Sequence, residues 1–166
     1  MAAMIRRADR ADDFRELHRL LVAYEDGLPP VLRHGSVPAV GEVERFYRGR
    51  SAAFLADSAG GAIGCVAVTQ LDEQTGVIMR LFVRPANRGA GTARALVVRA
   101  LEYAKAAGYV RVVLDTDKER LPAAYRLYES LGFTECAPYA AVTYPCPTFM
   151  ERRCDSEVSR RSDLNR

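Results

Sequence analysis

Apolar positions along the chain change their spacing several times, and each change marks an element. Residues 2–8 are β-like and predict a first strand. Phe14, Leu17, Leu20, Leu21 and Tyr24 then recur at spacings of three and four, the signature of an amphipathic helix. Asp9 is placed to cap it, and Asp12 and Asp13 suit its positive end. Three prolines and two glycines make residues 27–38 a loop, and 42–48 read as a short helix. Residues 53–56 form a strand, Gly60 and Gly61 a hairpin turn, and 63–71 the returning strand. A further turn at 73–76 leads into strand 77–84, which Pro85 ends.

The second half has a different rhythm. Ala93, Leu96, Val97, Ala100, Leu101 and Ala104 mark one helix face, and Gly108 stops it. The β-branched run 110–114 is a buried strand, Pro122 opens a helix that closes at Gly132, and 133–136 and 148–150 are the last strands. The order is β-α-α-β-β-β-α-β-α-β-β, a meander running into a right-handed β-α-β crossover with parallel strands. That is an α/β fold with a mixed sheet. One domain is expected over residues 1–151, with a polar, apolar-poor tail over 152–166 expected to be disordered.

Composition narrows the classes. A chain of 166 residues with 49% apolar and 27% charged residues suits one globular domain with a proper core. No apolar run approaches the roughly 20 residues that cross a bilayer, and no secretion signal stands at the N-terminus, so the expectation is a cytoplasmic protein with no membrane partner. Of the net charge of +3, residues 152–166 supply five arginines against three acids, and the near-neutral body argues against a nucleic-acid partner. Cys65, Cys136, Cys146 and Cys154 are scattered, and His18 and His34 are isolated, which gives a zinc site little support, and no metal is expected. Only Lys105 and Lys118 are lysines; with the abundant alanine, this suggests a GC-rich bacterial genome.

Residues 83–93, V-R-P-A-N-R-G-A-G-T-A, run from strand through glycine turn into helix. Glycines let the backbone approach an anion, and the first helical turn offers unpaired N–H groups at the positive end of its dipole. Arg88 adds a candidate side-chain cation. The Walker pattern is absent for want of a lysine, and no third glycine completes a dinucleotide fingerprint. Taken alone, the turn fits a phosphate cradle or a plain tight connection.

Residues 88–93, R-G-A-G-T-A, match R/Q-x-x-G-x-G/A, and so this segment resembles the pyrophosphate-binding signature of the GNAT superfamily of N-acetyltransferases. Residues 79–85, M-R-L-F-V-R-P, look like that superfamily's fourth strand, and 124–133, A-Y-R-L-Y-E-S-L-G-F, are similar to its A-x-x-L-Y-E-x-x-G-F segment. The resemblance covers residues 2 to about 151. It implies a mostly antiparallel twisted sheet with helices on both faces and a parallel fourth and fifth strand that splay apart. It also implies acetyl-CoA as co-substrate. Backbone groups of Leu81, Phe82 and Val83 would pair with the pantetheine arm, and amides of Arg88, Gly89, Ala90, Gly91, Thr92 and Ala93 would hold the pyrophosphate. The acceptor would be a primary amine of a small molecule or peptide, attacking directly in a ternary complex. A homodimer is left open.

Direct transfer needs a base for an acceptor amine of pKa about 10.4 and an acid for the departing thiolate. Tyr128 stands at the superfamily's tyrosine acid position, on one helical stripe with Ala124, Leu127 and Leu131; a packed core tyrosine fits the stripe equally. Tyr125 is the lesser candidate, about 100° round the helix. The superfamily's early glutamate on strand four is missing: residues 76–84 hold no acid. A water chain, an acid from elsewhere (Asp115 or Glu119), or acyl-CoA binding without transfer remain as alternatives. Arg80 is either a solvated or salt-bridged strand residue or a carboxylate anchor for the substrate.

Overall fold

The structure is a computed structural model, and residues 3–155 are described. The chain folds as β1 (Met4–Arg7), α1 (Ala11–Gly27), α2 (Val40–Phe46), β2 (Ala52–Ser58), β3 (Gly61–Gln70), β4 (Thr75–Val83), α3 (Thr92–Ala106), β5 (Arg111–Thr116), α4 (Pro122–Ser130), β6 (Thr134–Glu135) and β7 (Thr148–Arg153). This is the expected order. One sheet orders the strands β1-β2-β3-β4-β5-β7-β6, and β4 with β5 is its parallel pair.

Two apolar layers sandwich the sheet, which explains the continuous apolar runs of β2 and β3. Ala52, Phe54, Ala56, Val66 and Val68 face Leu96, Val97, Ala100 and Leu101 of α3, with Tyr128 and Leu131 in the same cluster. Ala53, Leu55, Cys65 and Ala67 face the other way, onto Phe14, Leu17, Leu20 and Leu21 of α1 and Val43 of α2.

Two details depart from expectation. The start of α1 is closed by Asp13, whose Oδ2 accepts the N–H groups of Asp9 and Arg10, both at 2.9 Å; Arg10, rather than Asp9, is the N-cap residue. The last strand runs past residue 151, where the tail was expected to begin. Arg152 and Arg153 pair with Val112 and Arg111, and Arg152 and Cys154 are buried. Of the expected tail, residues 156–166 lie outside the described residues.

Strand β4 carries the feature that shapes the site. Phe82 pairs with Cys65 and Met79 with Ala67, so two residues, Arg80 and Leu81, oppose Val66 alone. This bulge puts Arg80 at φ 58°, a left-handed conformation uncommon for a residue with a Cβ. The Cys65 thiol lies within 3.4 Å of the Arg80 carbonyl beneath it.

Candidate functional site

Strands β4 and β5 pair only over Thr75–Val77 and 111–113. Beyond that they part, and backbone groups of β4 face an opening where a ladder partner would be. The cleft so formed holds about 630 Å³. Leu81, Phe82 and Val83 line one wall, Asp115 and Thr116 the other, and Tyr128 enters from α4.

One end of the cleft is the start of α3. Gly91 caps that helix at φ 82° and ψ 8°, and no side chain caps the free N–H groups of the first turn. Gly89 also holds a positive φ, 87°. Gly89, Gly91, Thr92 and Ala93 line the cleft; Ala90 does not. The result is an uncapped positive helix end facing a cavity, suited to an anion. Arg88 lines the cleft but is turned back. Its Nε donates to the Val83 carbonyl at 2.9 Å, and its charge lies 5.9 Å from the centre of the Phe82 ring, so it braces the turn.

Tyr128 is 7% exposed, its ring edge-on to Phe133 at 5.7 Å. Its hydroxyl bonds no described residue, and the side chain lines the cleft. Burial, with the Tyr24 and Asp115 charges adding, pushes the phenol well above its ordinary value, so it stays protonated. Tyr125 is turned elsewhere: its hydroxyl donates to Glu135 at 3.3 Å, and it does not line the cleft. Asp115 stands near the end of β5 and accepts hydroxyls from Tyr144 at 2.7 Å and Tyr139 at 3.2 Å. Glu119 does not line the cleft.

A second cavity of about 430 Å³ adjoins the first. Both are lined by Tyr24, His34, Met79 and Arg80, which form the junction between them. The second is otherwise largely apolar, with Leu21, Val43, Phe46 and Tyr47, and carries Glu25 and Glu42. Across the junction runs a chain of three side chains. Glu25 Oε1 lies 2.6 Å from His34 Nδ1, and Oε2 accepts the His34 backbone N–H at 2.9 Å. Arg80 Nη1 lies 2.9 Å from His34 Nε2. Arginine only donates, so Nε2 accepts, and Nδ1 carries the proton toward Glu25. Tyr24 stacks on the imidazole at 6.0 Å.

The expectation that His34 is isolated is therefore corrected. Glu25 and His34 escaped sequence reasoning because no spacing rule links a helix end, a loop and a bulged strand. Arg80 makes no salt bridge to a described residue: it is held by an imidazole while lining both cavities. Among the described residues, no three His, Cys, Asp or Glu side chains group to hold a metal ion.

Comparison with known proteins gives these shapes a context. A family model described as the acetyltransferase (GNAT) family matches residues 12–133. An uncharacterised N-acetyltransferase of Schizosaccharomyces pombe is 40% identical over 95 residues, covering 57% of this chain and 58% of that protein. N-acetylaspartate synthetase of Rattus norvegicus is 38% identical over 95 residues, covering 55% and 31%. The chain thus spans less than two thirds of the length of these relatives. Among solved structures, an acetyltransferase from Salmonella typhimurium with its cofactor acetyl-CoA superposes at a TM-score of 0.76, with 22% identity, over 96% of this chain and 98% of that one. At that identity the likeness is one of fold.

Proposed function

We propose, for a chain that belongs to the acetyltransferase (GNAT) family, that it transfers an acetyl group from acetyl-CoA to a primary amine of a small molecule or peptide in a ternary complex. The observation that carries this reading is the alignment in one cleft of three things: the unpaired edge of β4, the uncapped start of α3, and the unbonded Tyr128 hydroxyl. Backbone groups of Leu81, Phe82 and Val83 take the amide-bearing pantetheine arm, as a missing strand would. The α3 N-terminus, from Gly89 to Ala93, takes the pyrophosphate.

The acceptor enters from the second cavity, and its nitrogen meets the thioester at the junction. The neutral amine attacks the carbonyl carbon, the C–N bond forms and the C–S bond breaks. Tyr128 donates its proton to the departing sulfur, which its raised pKa permits at neutral pH. Arg80 offers an acidic acceptor a partner for its carboxylate. The four cysteines are free, which suits a reducing cytoplasm.

One observation favours a second reading, a non-catalytic acyl-CoA-binding or sensing protein: β4, T-G-V-I-M-R-L-F-V, carries no acid to serve as base. Calorimetric titration with acetyl-CoA, followed by thiol release over a panel of primary amines, separates the two. Binding with transfer supports the enzyme. Binding without transfer to any amine selects the sensor, and absence of binding removes both.

A further inference from the structure

We propose that His34 is the general base of the transfer, and that the acceptor is an α-amino acid with an apolar side chain whose carboxylate draws Arg80 off the His34 Nε2 nitrogen. This rests on the reading above and deepens it.

The base must come from outside β4. Asp115 is committed to the Tyr139 and Tyr144 hydroxyls, and Glu119 does not line the cleft. Glu25 is engaged twice by His34. His34 is the neutral acceptor nitrogen at the junction of the two cavities. Glu25 sets its tautomer and would stabilise the imidazolium formed when Nε2 takes a proton, the arrangement by which a carboxylate makes an imidazole a competent base. Glu25 is thus a positioning residue.

That lone pair is covered, because Arg80 donates to it at 2.9 Å. A base so bonded cannot accept an ammonium proton. The rest of the Arg80 fork bonds no described residue, and a carboxylate binds guanidinium in a charge-assisted, bidentate way that outcompetes a single bond to neutral nitrogen. The substrate's own carboxylate therefore uncovers the base.

The same geometry selects the substrate. Arg80 and His34 are hydrogen-bond neighbours, so a molecule using both must carry amine and carboxylate close together, as an α-amino acid does. Leu21, Val43, Phe46 and Tyr47 offer its side chain an apolar cavity.

The step balances. The acceptor ammonium gives one proton to His34 Nε2. The neutral nitrogen attacks the thioester carbon, C–N forms, C–S breaks, and sulfur takes the Tyr128 proton. The new amide nitrogen loses its second proton, which restores Tyr128 through water, and His34 returns its own to solvent. One proton is released per turnover.

The test uses the full chain, acetyl-CoA and thiol release, with L-leucine, L-methionine and L-phenylalanine, each beside its amide and its decarboxylated amine. The wild type should prefer the acids over both analogues by at least 100-fold in kcat/KM. Arg80→Ala should raise KM for the acids at least tenfold and erase the preference. His34→Gln should lower kcat at least 100-fold while the affinity for acetyl-CoA stays within threefold. Should His34→Gln not fold, Glu25→Ala should lower kcat about tenfold and Glu25→Gln, which still accepts from Nδ1, should restore most of it. Amides used as well as acids, or His34→Gln (or Glu25→Ala) turning over as wild type does, overturns the proposal while leaving acetyl transfer standing. Transfer to other amines but to none of these acids overturns it as well. No transfer to any amine removes the proposal together with the enzymatic reading.

Discussion

Arg152 Nε donates to the Leu131 carbonyl at 2.7 Å, from a residue only 4% exposed. The bond ties β7 to the chain just after α4, the helix that carries Tyr128. Its guanidinium pKa is lowered by burial, as expected of a cation drawn into the fold. Removing it strips a buried carbonyl of a charged donor, worth about 2 kcal/mol. Arg152→Ala should lower the melting temperature by roughly 4–8 °C, measured by calorimetry. Truncation after Glu151 should unfold the domain, whereas truncation after Asp155 should leave the midpoint within about 3 °C. A stable chain ending at Glu151 would contradict this anchoring.

Gly91 is the position at which a side chain should hurt binding without filling occupied space. A Cβ there meets no atom within 4 Å, but φ is 82°. Gly91→Ala tests that backbone strain alone; Gly91→Asp adds a negative charge at the proposed pyrophosphate end. Calorimetry should show acetyl-CoA affinity falling at least tenfold in the aspartate variant, about 1.4 kcal/mol, and less in the alanine variant. Equal affinities in wild type and the aspartate variant would move the pyrophosphate site elsewhere.

Tyr128→Phe removes a hydroxyl with no described partner and keeps the ring against Phe133. Stability and acetyl-CoA affinity should hardly change. Single-turnover acetyl transfer should slow by about 10²–10³-fold, the scale for losing a positioned acid. A rate within threefold of wild type, with chemistry limiting, would make Tyr128 a core residue only.

The interior also sets an alkaline limit. Burial pushes the Cys65 thiol up from its ordinary 9 to about 12 and the Tyr47 phenol from 10 to about 12, with Arg80 opposing in both cases. The folded chain thus holds protons that the unfolded chain releases. The resulting stability is fully present below the unfolded values and is lost as pH rises from about 9 toward 12. Denaturant midpoints should hold steady between pH 7 and 8.5 and decline above it. At pH 8 Cys65 should resist alkylation in the native protein while exposed Cys146 reacts. Equal alkylation rates would show that Cys65 opens to solvent.

Much of this molecule is written locally. The α3 stripe, the β2-β3 hairpin and the glycine turn were legible because side-chain periodicity, positive φ at Gly89 and Gly91, and a helix dipole are properties of a few adjacent residues. The element order and the parallel β4-β5 pair follow from those pieces and the handedness of the crossover. What the tertiary structure alone decided lies between distant segments. The bulge that turns Arg80 depends on the register of β4 against β3. The meeting of Glu25, His34 and Arg80 brings together residues up to 55 positions apart in the numbering. Arg152 looks like tail in a run of charges, yet its place on β7 beside β5 buries it. Periodicity reports which face an element buries, whereas the partner of a polar side chain is set by how whole elements pack, and no local pattern carries that information.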